Sequence, residues 1–440
     1  MGTSAAAKFV VMVVSGVISV FSLRLVLEHF GVAAYAQYGL LVSVAALLPF
    51  ADLGMAAAVM NSVAASRSPA CDEHVHRTLV SSLRVVLVSA AVITGAGVLV
   101  SVLGWWPAVL GDGLLPGSGP TAALLCLVVF ACTLPLAVGQ RVLTGLGLNH
   151  VQILLQGLAS PLFVLAVLLL VLTGAQGGGY LAVFSYLGGA VVAGTGSLIA
   201  SRRLRGLAWA VLRDVPRPRR VRGVPVFGTA WPMIVQMVAL PVAMQTDRLL
   251  LSHLTPGTAL AEYGLAASMF GIVLQTVSAA GLALWPVFAR ARSTSDVSSP
   301  FAMAGAFCLV GLAGALVLAL LMPWLAPFLS DGAIALDGWL VWGFVAFVAV
   351  QAAKYPLGMY MTDEPGLRFQ VPPILVMVPL NLALSWWLVG VVGAGGPIIG
   401  SAVAVLLCQV VPNALYTRRD LRRRRSTAAG SAPGGSTAGA

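Results

Sequence analysis

Long apolar runs alternate with short polar interruptions along this chain, and each run is about as long as a membrane-crossing helix. Runs poor in charge cover about 8–28, 36–61, 78–103, 120–140, 150–173, 179–200, 227–252, 262–288, 301–329, 336–358, 368–392 and 396–416. A helix needs roughly 20 apolar residues to cross a bilayer core of about 30 Å. The pattern therefore predicts twelve transmembrane helices in an all-α polytopic membrane protein. Turns are marked by Glu28-His29-Phe30-Gly31, by the Gly- and Pro-rich stretch 104–119 and by the glycine run 174–179. Pro49 interrupts the second run, where it predicts a kink.

The longest polar segment, 201–225, holds Arg202, Arg203, Arg205, Arg213, Arg217, Arg219, Arg220 and Arg222. Within it Leu204, Leu207, Val211 and Leu212 predict one apolar face of a short interfacial helix. The segment separates an N-terminal lobe, 1–200, from a C-terminal lobe, 226–416. A basic tail, 417–440, ends in Ser, Gly and Ala and is expected to be disordered. With twelve helices both termini and the 201–225 linker share one side, together with Arg67, Arg77, Arg141, Arg290, Arg292 and Arg368. The opposite loops, near 29–35, 104–119, 174–178, 253–261, 330–336 and 393–395, contain no Lys or Arg. By the positive-inside rule the termini are expected in the cytoplasm.

Composition narrows the class further. Hydrophobic residues make up 59% of the chain and charged residues 9%, against about 25% charged in an average soluble domain. A net charge of +11 would suggest nucleic acid in a soluble protein. Here the basic residues sit in loops, which points to anionic inner-leaflet lipid and to no nucleic acid. Cys126, Cys132, Cys308 and Cys408 lie in apolar runs and Cys71 in a basic loop, so no extracellular disulfide is expected. The first run carries Arg24 and reads as an uncleaved helix, not a signal peptide. The metal-type residues of Cys71-Asp-Glu-His-Val-His76 lack paired-ligand spacing. The chain contains no Walker loop, nucleophile elbow or zinc-binding helix signature. No metal, no cofactor and no catalytic residue is expected.

The two halves echo each other. Arg24-Leu-Val-Leu-Glu-His29, followed by Tyr38-Gly39-Leu40, matches Arg248-Leu-Leu-Leu-Ser-His253, followed by Tyr263-Gly264-Leu265, with one residue inserted. Gly179 precedes Arg202-Arg203 at the spacing by which Gly395 precedes Arg418-Arg419, and Gln140-Arg141 corresponds to Ala353-Lys354. Six helices per half make this a parallel repeat, a transporter arrangement with its site expected between the halves.

These residues carry a resemblance. Arg24, His29-Phe-Gly31, Tyr35, Tyr38-Gly39 and Asp52-Leu53-Gly54, ending in small residues to Asn61, resemble the opening of Wzx-type flippases. Those are polysaccharide-transport proteins of the multidrug/oligosaccharidyl-lipid/polysaccharide exporter superfamily. Asp247-Arg248-Leu-Leu-Leu, Glu262-Tyr263-Gly264 and Leu284-Trp-Pro286 look like the start of that family's second half. The resemblance implies two pseudo-symmetric six-helix lobes in a V, working by alternating access in the bacterial cytoplasmic membrane. It also implies a polyprenyl-pyrophosphate-linked oligosaccharide as cargo, with a polysaccharide polymerase and glycosyltransferases as partners. An ion-coupled multidrug exporter and a peptidoglycan-precursor flippase are the alternatives. A membrane glycan polymerase is disfavoured, because the longest outer loop is mostly Gly, Pro and apolar.

Each candidate residue has a plain reading beside its functional one. A charge at the middle of a membrane helix costs about 2.5–3.5 kcal/mol, so Asp247 and Arg248 either serve a cavity or snorkel from near a helix end. The same choice holds for Arg24. Asp52 either caps the helix that restarts after Pro49 or forms an ion-coupling site, a role for which Asp247 is the second candidate. Arg141 and Lys354 either receive a pyrophosphate group or anchor helix ends at the inner surface. The amides Gln275 and Asn381, with Gln156, Gln236 and Gln245, bind either sugar hydroxyls or neighbouring helices. Trp105, Trp106, Trp324, Trp339 and Trp342 are expected in the outer aromatic belt.

Overall fold

A computed structural model describes residues 2–48, 51, 54–175, 177–204, 206–217, 231–282, 284, 288 and 299–430. Among these residues there is no strand; the elements are helices and short turns. In lipid this is the simplest way for every backbone N–H and C=O to be bonded within its own segment. The helices are α1 (Gly2–Ala46), α2 (Met55–Ala65), α3 (Glu73–Val102), α4 (Trp106–Leu110), α5 (Ser118–Gly145), α6 (Asn149–Gly157), α7 (Ala159–Thr173) and α8 (Leu181–Arg203). They continue as α9 (Leu207–Asp214), α10 (Trp231–Leu254), α11 (Gly257–Leu282), α12 (Phe301–Ser330), α13 (Gly338–Tyr360), α14 (Glu364–Val392), α15 (Gly396–Val405) and α16 (Val411–Gly430).

Nine stretches of the described residues are long and apolar enough to span a membrane. Two of them each contain two passes. Gly31, at φ 79° and ψ 175°, breaks α1 into two arms. Its first arm sets Val11 against Gly157 and Phe30 against Gly178, so it runs alongside α7. Its second arm bonds Gly179 through Gln37 and Tyr186 through Leu41 and Ala45, so it runs back alongside α8. The last stretch, Pro365–Arg424, turns at Gly393–Gly395. Ser401 then bonds Asn381, and Ser385 bonds the Pro397 carbonyl, which makes α14 and α15 antiparallel. With α10, whose Gln, Thr, Asp and Arg residues dilute its apolar character, the twelve expected passes are accounted for among the described residues. The protein is a multi-pass membrane protein with the expected all-helical fold.

The chain divides into two compact units, Met1–Leu265 with Trp324–Ala335, and Ala266–Pro323 with Leu336–Ala440. In the first, α5 and α8 run parallel in close contact. Ser197 Oγ donates to the Leu136 carbonyl at 2.6 Å, and Gly139 faces the Ser197 backbone with no room for a Cβ. Small residues let the backbones approach, and dispersion plus a few hydrogen bonds then hold them. In the second, Gly395 lies against the backbone of Trp339 and Leu340, and Gly400 against Ser385. The Phe270 and Phe344 rings stack at 5.2 Å.

Several expectations are corrected. The helix read as continuous over 150–173 is divided at Leu158 into α6 and α7. In the linker, α9 points Val211 and the neighbouring Leu204 into the core of its unit, whereas Leu212 is 57% exposed. Leu212 lies about 100° around the helix from Val211, too far to share its face. Arg84 pins this helix, donating from Nη2 to the Asp214 carbonyl and from Nε to the Val215 carbonyl, both at 2.8 Å. His76 lies 3.3 Å from the Asp214 carboxylate. The 417–440 tail is helical as far as Gly430. Tyr360 donates to Asp420 at 2.6 Å, Arg424 bonds the same carboxylate oxygen at 2.8 Å, and Leu421 is buried. Residues 431–440 lie outside the described residues. Trp106 is 3% exposed and donates to Ser101 Oγ at 2.7 Å, so it packs inside, whereas Trp105, Trp324, Trp339 and Trp342 are exposed.

At the start of α3, Asp72 caps the helix by accepting from the His74 N–H at 2.8 Å. Bonds from Ser66 and from this N–H hold its carboxyl below the usual range. Gly139→Ala is expected to wedge α5 from α8 and to lower stability by about 1–3 kcal/mol, the usual cost of overpacking. Gly189→Ala on α8, with open space where its Cβ would sit, should be neutral or slightly stabilising. Thermal melting of the two variants in detergent checks the contrast.

Candidate functional site

Asp247 and Arg248 lie on α10, and both are engaged, in different directions. Asp247 is 2% exposed and accepts from the Tyr263 hydroxyl on α11 at 2.8 Å. Arg248 is half-buried and donates from Nη1 to the Gly39 carbonyl on the second arm of α1 at 2.6 Å. Adjacent helical residues point about 100° apart, which is why one pair of charges ties α10 to two different helices. A Cβ on Gly264 would lie 3.4 Å from the Tyr35 ring, at van der Waals contact, so Tyr35 packs against this glycine. Tyr35 and Tyr38 stack at 6.4 Å, and Tyr38 stacks on Phe163 at 5.1 Å. The two Tyr-Gly pairs that marked the repeat therefore meet around Asp247 and Arg248. The repeat's histidines match as well, since His29 and His253 each bond the carbonyl four residues earlier, of Leu25 and Leu249.

Each of the other candidates has surroundings of its own. Arg24 is exposed on the first arm of α1, its guanidinium 4.4 Å from the centre of the Phe328 ring. Arg141 lines a cavity of about 160 Å³ whose walls include Met55, Val59, Val86, Phe130 and Val138, with Ser82 as a further polar group. Lys354 is half-buried on α13, its ammonium 5.4 Å from the Tyr355 ring. Gln275 is exposed on α11. Asn381 is 1% exposed and accepts from Ser401 at 3.1 Å and Ser385 at 3.3 Å, which makes it a bond between α14 and α15. Asp52, the other ion-coupling candidate, lies outside the described residues.

Sequence reasoning missed two organising polar groups. Gln37, 1% exposed, donates to the Gly179 carbonyl at 2.7 Å and accepts from the Leu115 N–H at 2.5 Å, joining the connections that precede α5 and α8 to the second arm of α1. Arg84 was the second. An amide six residues beyond a glycine break, and an arginine eleven residues inside an apolar helix, were the available signals. No group of three or more His, Cys, Asp or Glu residues converges to hold a metal among the described residues.

The fold is similar to those of solved transporters of the multidrug/oligosaccharidyl-lipid/polysaccharide superfamily. A multidrug resistance MATE family transporter in its inward-facing conformation matches with TM-score 0.68 at 15% identity, over 96% of this chain and 99% of the other. The lipid II flippase MurJ in an inward closed conformation matches with TM-score 0.68 at 10% identity, over 95% and 89%. A MATE protein in a bent conformation matches with TM-score 0.59 at 15% identity, over 97% and 96%. Residues 4–292 match the polysaccharide biosynthesis protein family, and the chain belongs to that family. No curated protein matches it.

Removing the Tyr263 hydroxyl would leave a buried carboxylate with one donor fewer. Tyr263→Phe is expected to cost about 1–3 kcal/mol. In a double-mutant cycle with Asp247→Asn the two changes should couple by roughly 1–2 kcal/mol. Additive losses in melting temperature would show that the bond contributes nothing of its own.

Proposed function

We propose that this protein is a flippase for a polyprenyl-pyrophosphate-linked oligosaccharide in the bacterial cytoplasmic membrane, serving cell-surface polysaccharide synthesis. The observation that carries the reading is Arg141: within a chain of the polysaccharide biosynthesis family, it is the one cation among the described residues that line an apolar-walled cavity inside a helical unit. An apolar wall beside a guanidinium suits a lipid-linked phosphate, because bidentate arginine–phosphate bonds are strong where water is excluded. Lys354, at the matching place in the second half, supplies the corresponding cation. In this reading the polyprenyl chain stays in the bilayer while the pyrophosphate and glycan move past these groups. Translocation needs no covalent step. The termini and the arginine-rich linker lie in the cytoplasm on anionic lipid, and a polymerase and glycosyltransferases act on the same glycan.

Two further readings rest on the fold matches. An ion-coupled exporter follows from the MATE neighbours and from the buried Asp247 carboxylate as a coupling group. Transport of a peptidoglycan precursor follows from the lipid II flippase neighbour.

Reconstitution into vesicles with a lipid-linked oligosaccharide, read by accessibility of the glycan to an external lectin, decides among them. Protein-dependent translocation is expected. Arg141→Ala and Lys354→Ala should each slow it roughly ten-fold, the loss of one charge-assisted bond, while leaving insertion unchanged. Drug efflux or lipid II translocation in place of this activity would assign the protein to one of the other readings. Equal rates in both variants would remove these cations from the transport path.

A further inference from the structure

The first arm of α1 carries an open groove of about 350 Å³ that the flippase reading leaves unused. Val17, Phe21, Arg24 and Glu28 follow one another at helical spacing and so share one face of the helix. Phe328 and Leu329, at the end of α12, close the other side. Val17 and Phe21 are strongly exposed apolar side chains, so the stripe offers an apolar surface, then a cation, then an anion. Glu28 lies next to the Gly31 break. Arg24 sits one turn further from it, about 6 Å along the axis.

The charges are spaced for a third party. In α3 and α16 the acid precedes the base by four residues, and Glu73–Arg77 and Asp420–Arg424 form ion pairs. Arg24 and Glu28 have the reverse order, the less favourable one for pairing on a helix. Arg24 instead lies over the Phe328 ring, and no bond joins it to Glu28 among the described residues. We propose that this groove binds an aminophospholipid of the phosphatidylethanolamine type, with its phosphate on Arg24, its ammonium on Glu28 and its tails along Val17 and Phe21. The order of charges along the helix matches the order in that headgroup, where the phosphate lies deeper than the amine. An anionic glycerol headgroup places no cation on Glu28. A choline headgroup brings a quaternary ammonium with no N–H to donate. The inference stands independently of what the protein transports.

The test is native mass spectrometry of the full-length, delipidated protein titrated with phosphatidylethanolamine, phosphatidylglycerol and phosphatidylcholine of identical chains. The wild type should retain phosphatidylethanolamine roughly three- to ten-fold better than either competitor, the worth of one exposed charge-assisted bond. Glu28→Gln should abolish that preference while keeping phosphate binding, and Arg24→Gln should weaken all three lipids. Equal retention of the three lipids by the wild type would overturn the proposal without recourse to any variant. So would a preference for phosphatidylglycerol, or an unchanged preference in a monodisperse Glu28→Gln protein.

Discussion

Packing inside a bilayer has to proceed without the force that packs soluble proteins. An apolar side chain gains little by leaving lipid tails for another helix, so contact must come from close backbone approach and from the few polar bonds that lipid cannot replace. The rest of this structure depends on that constraint. Gly139 against Ser197, Gly395 against the Trp339 backbone and Gly400 against Ser385 are places where only a missing side chain permits the contact. Beside these approaches stand single polar groups such as Ser197, Asn381 and Ser401, each bonding across to a neighbouring helix. The abundance of glycine is therefore part of the packing, as well as a supply of turns.

The same constraint governs the charges. A carboxylate and a guanidinium in adjacent positions on α10 would be costly if left unmet. Asp247 is met by a tyrosine hydroxyl and Arg248 by a backbone carbonyl. Both partners come from segments that the internal repeat had marked, Tyr38-Gly39 and Tyr263-Gly264. Such bonds hold helices in place, yet water or a ligand's polar groups can substitute for each partner. This distinguishes them from the Gly139–Ser197 contact, which nothing else can occupy. α10 is held by contacts of both kinds, since its Ser252 backbone lies against Gly111 where a Cβ would find no room, beside the replaceable bonds of Asp247 and Arg248.

Much of this was legible in the sequence. Hydropathy period and the one-sided distribution of arginine gave the all-helical, multi-pass plan, because lipid imposes length and composition on every span. The repeat was visible because Arg24–His29 and Arg248–His253 keep their spacing, and their histidines do bond equivalent carbonyls. Fates of individual side chains were far less legible. Trp105 and Trp106 are neighbours of one type, but only Trp106 has Ser101 within reach of its N–H and is buried. Leu212 looked like part of an apolar face, whereas the side of α9 that docks is set by Arg84 gripping its last carbonyls from another helix. The arginine-rich end of the chain is ordered by Tyr360, sixty residues before Asp420. Contacts at such separation leave no trace in local pattern.

Which cations matter for transport is then a question of commitment, not of number. Arg84 and Arg141 both lie within apolar helices of the same unit. Arg84 is engaged by two backbone carbonyls, and removing it would free the end of α9. Arg248 is partly committed, through one carbonyl. Arg141 faces a cavity and makes no hydrogen bond or ion pair among the described residues. A cation held by the fold has little left to offer a phosphate, because a new partner must first replace the old one. A cation with open space before it offers its full charge in surroundings where water competes weakly. In the proposed flippase reading, that ordering puts Arg141 ahead of Arg248 and Arg84 as the group with charge left to offer an anionic cargo.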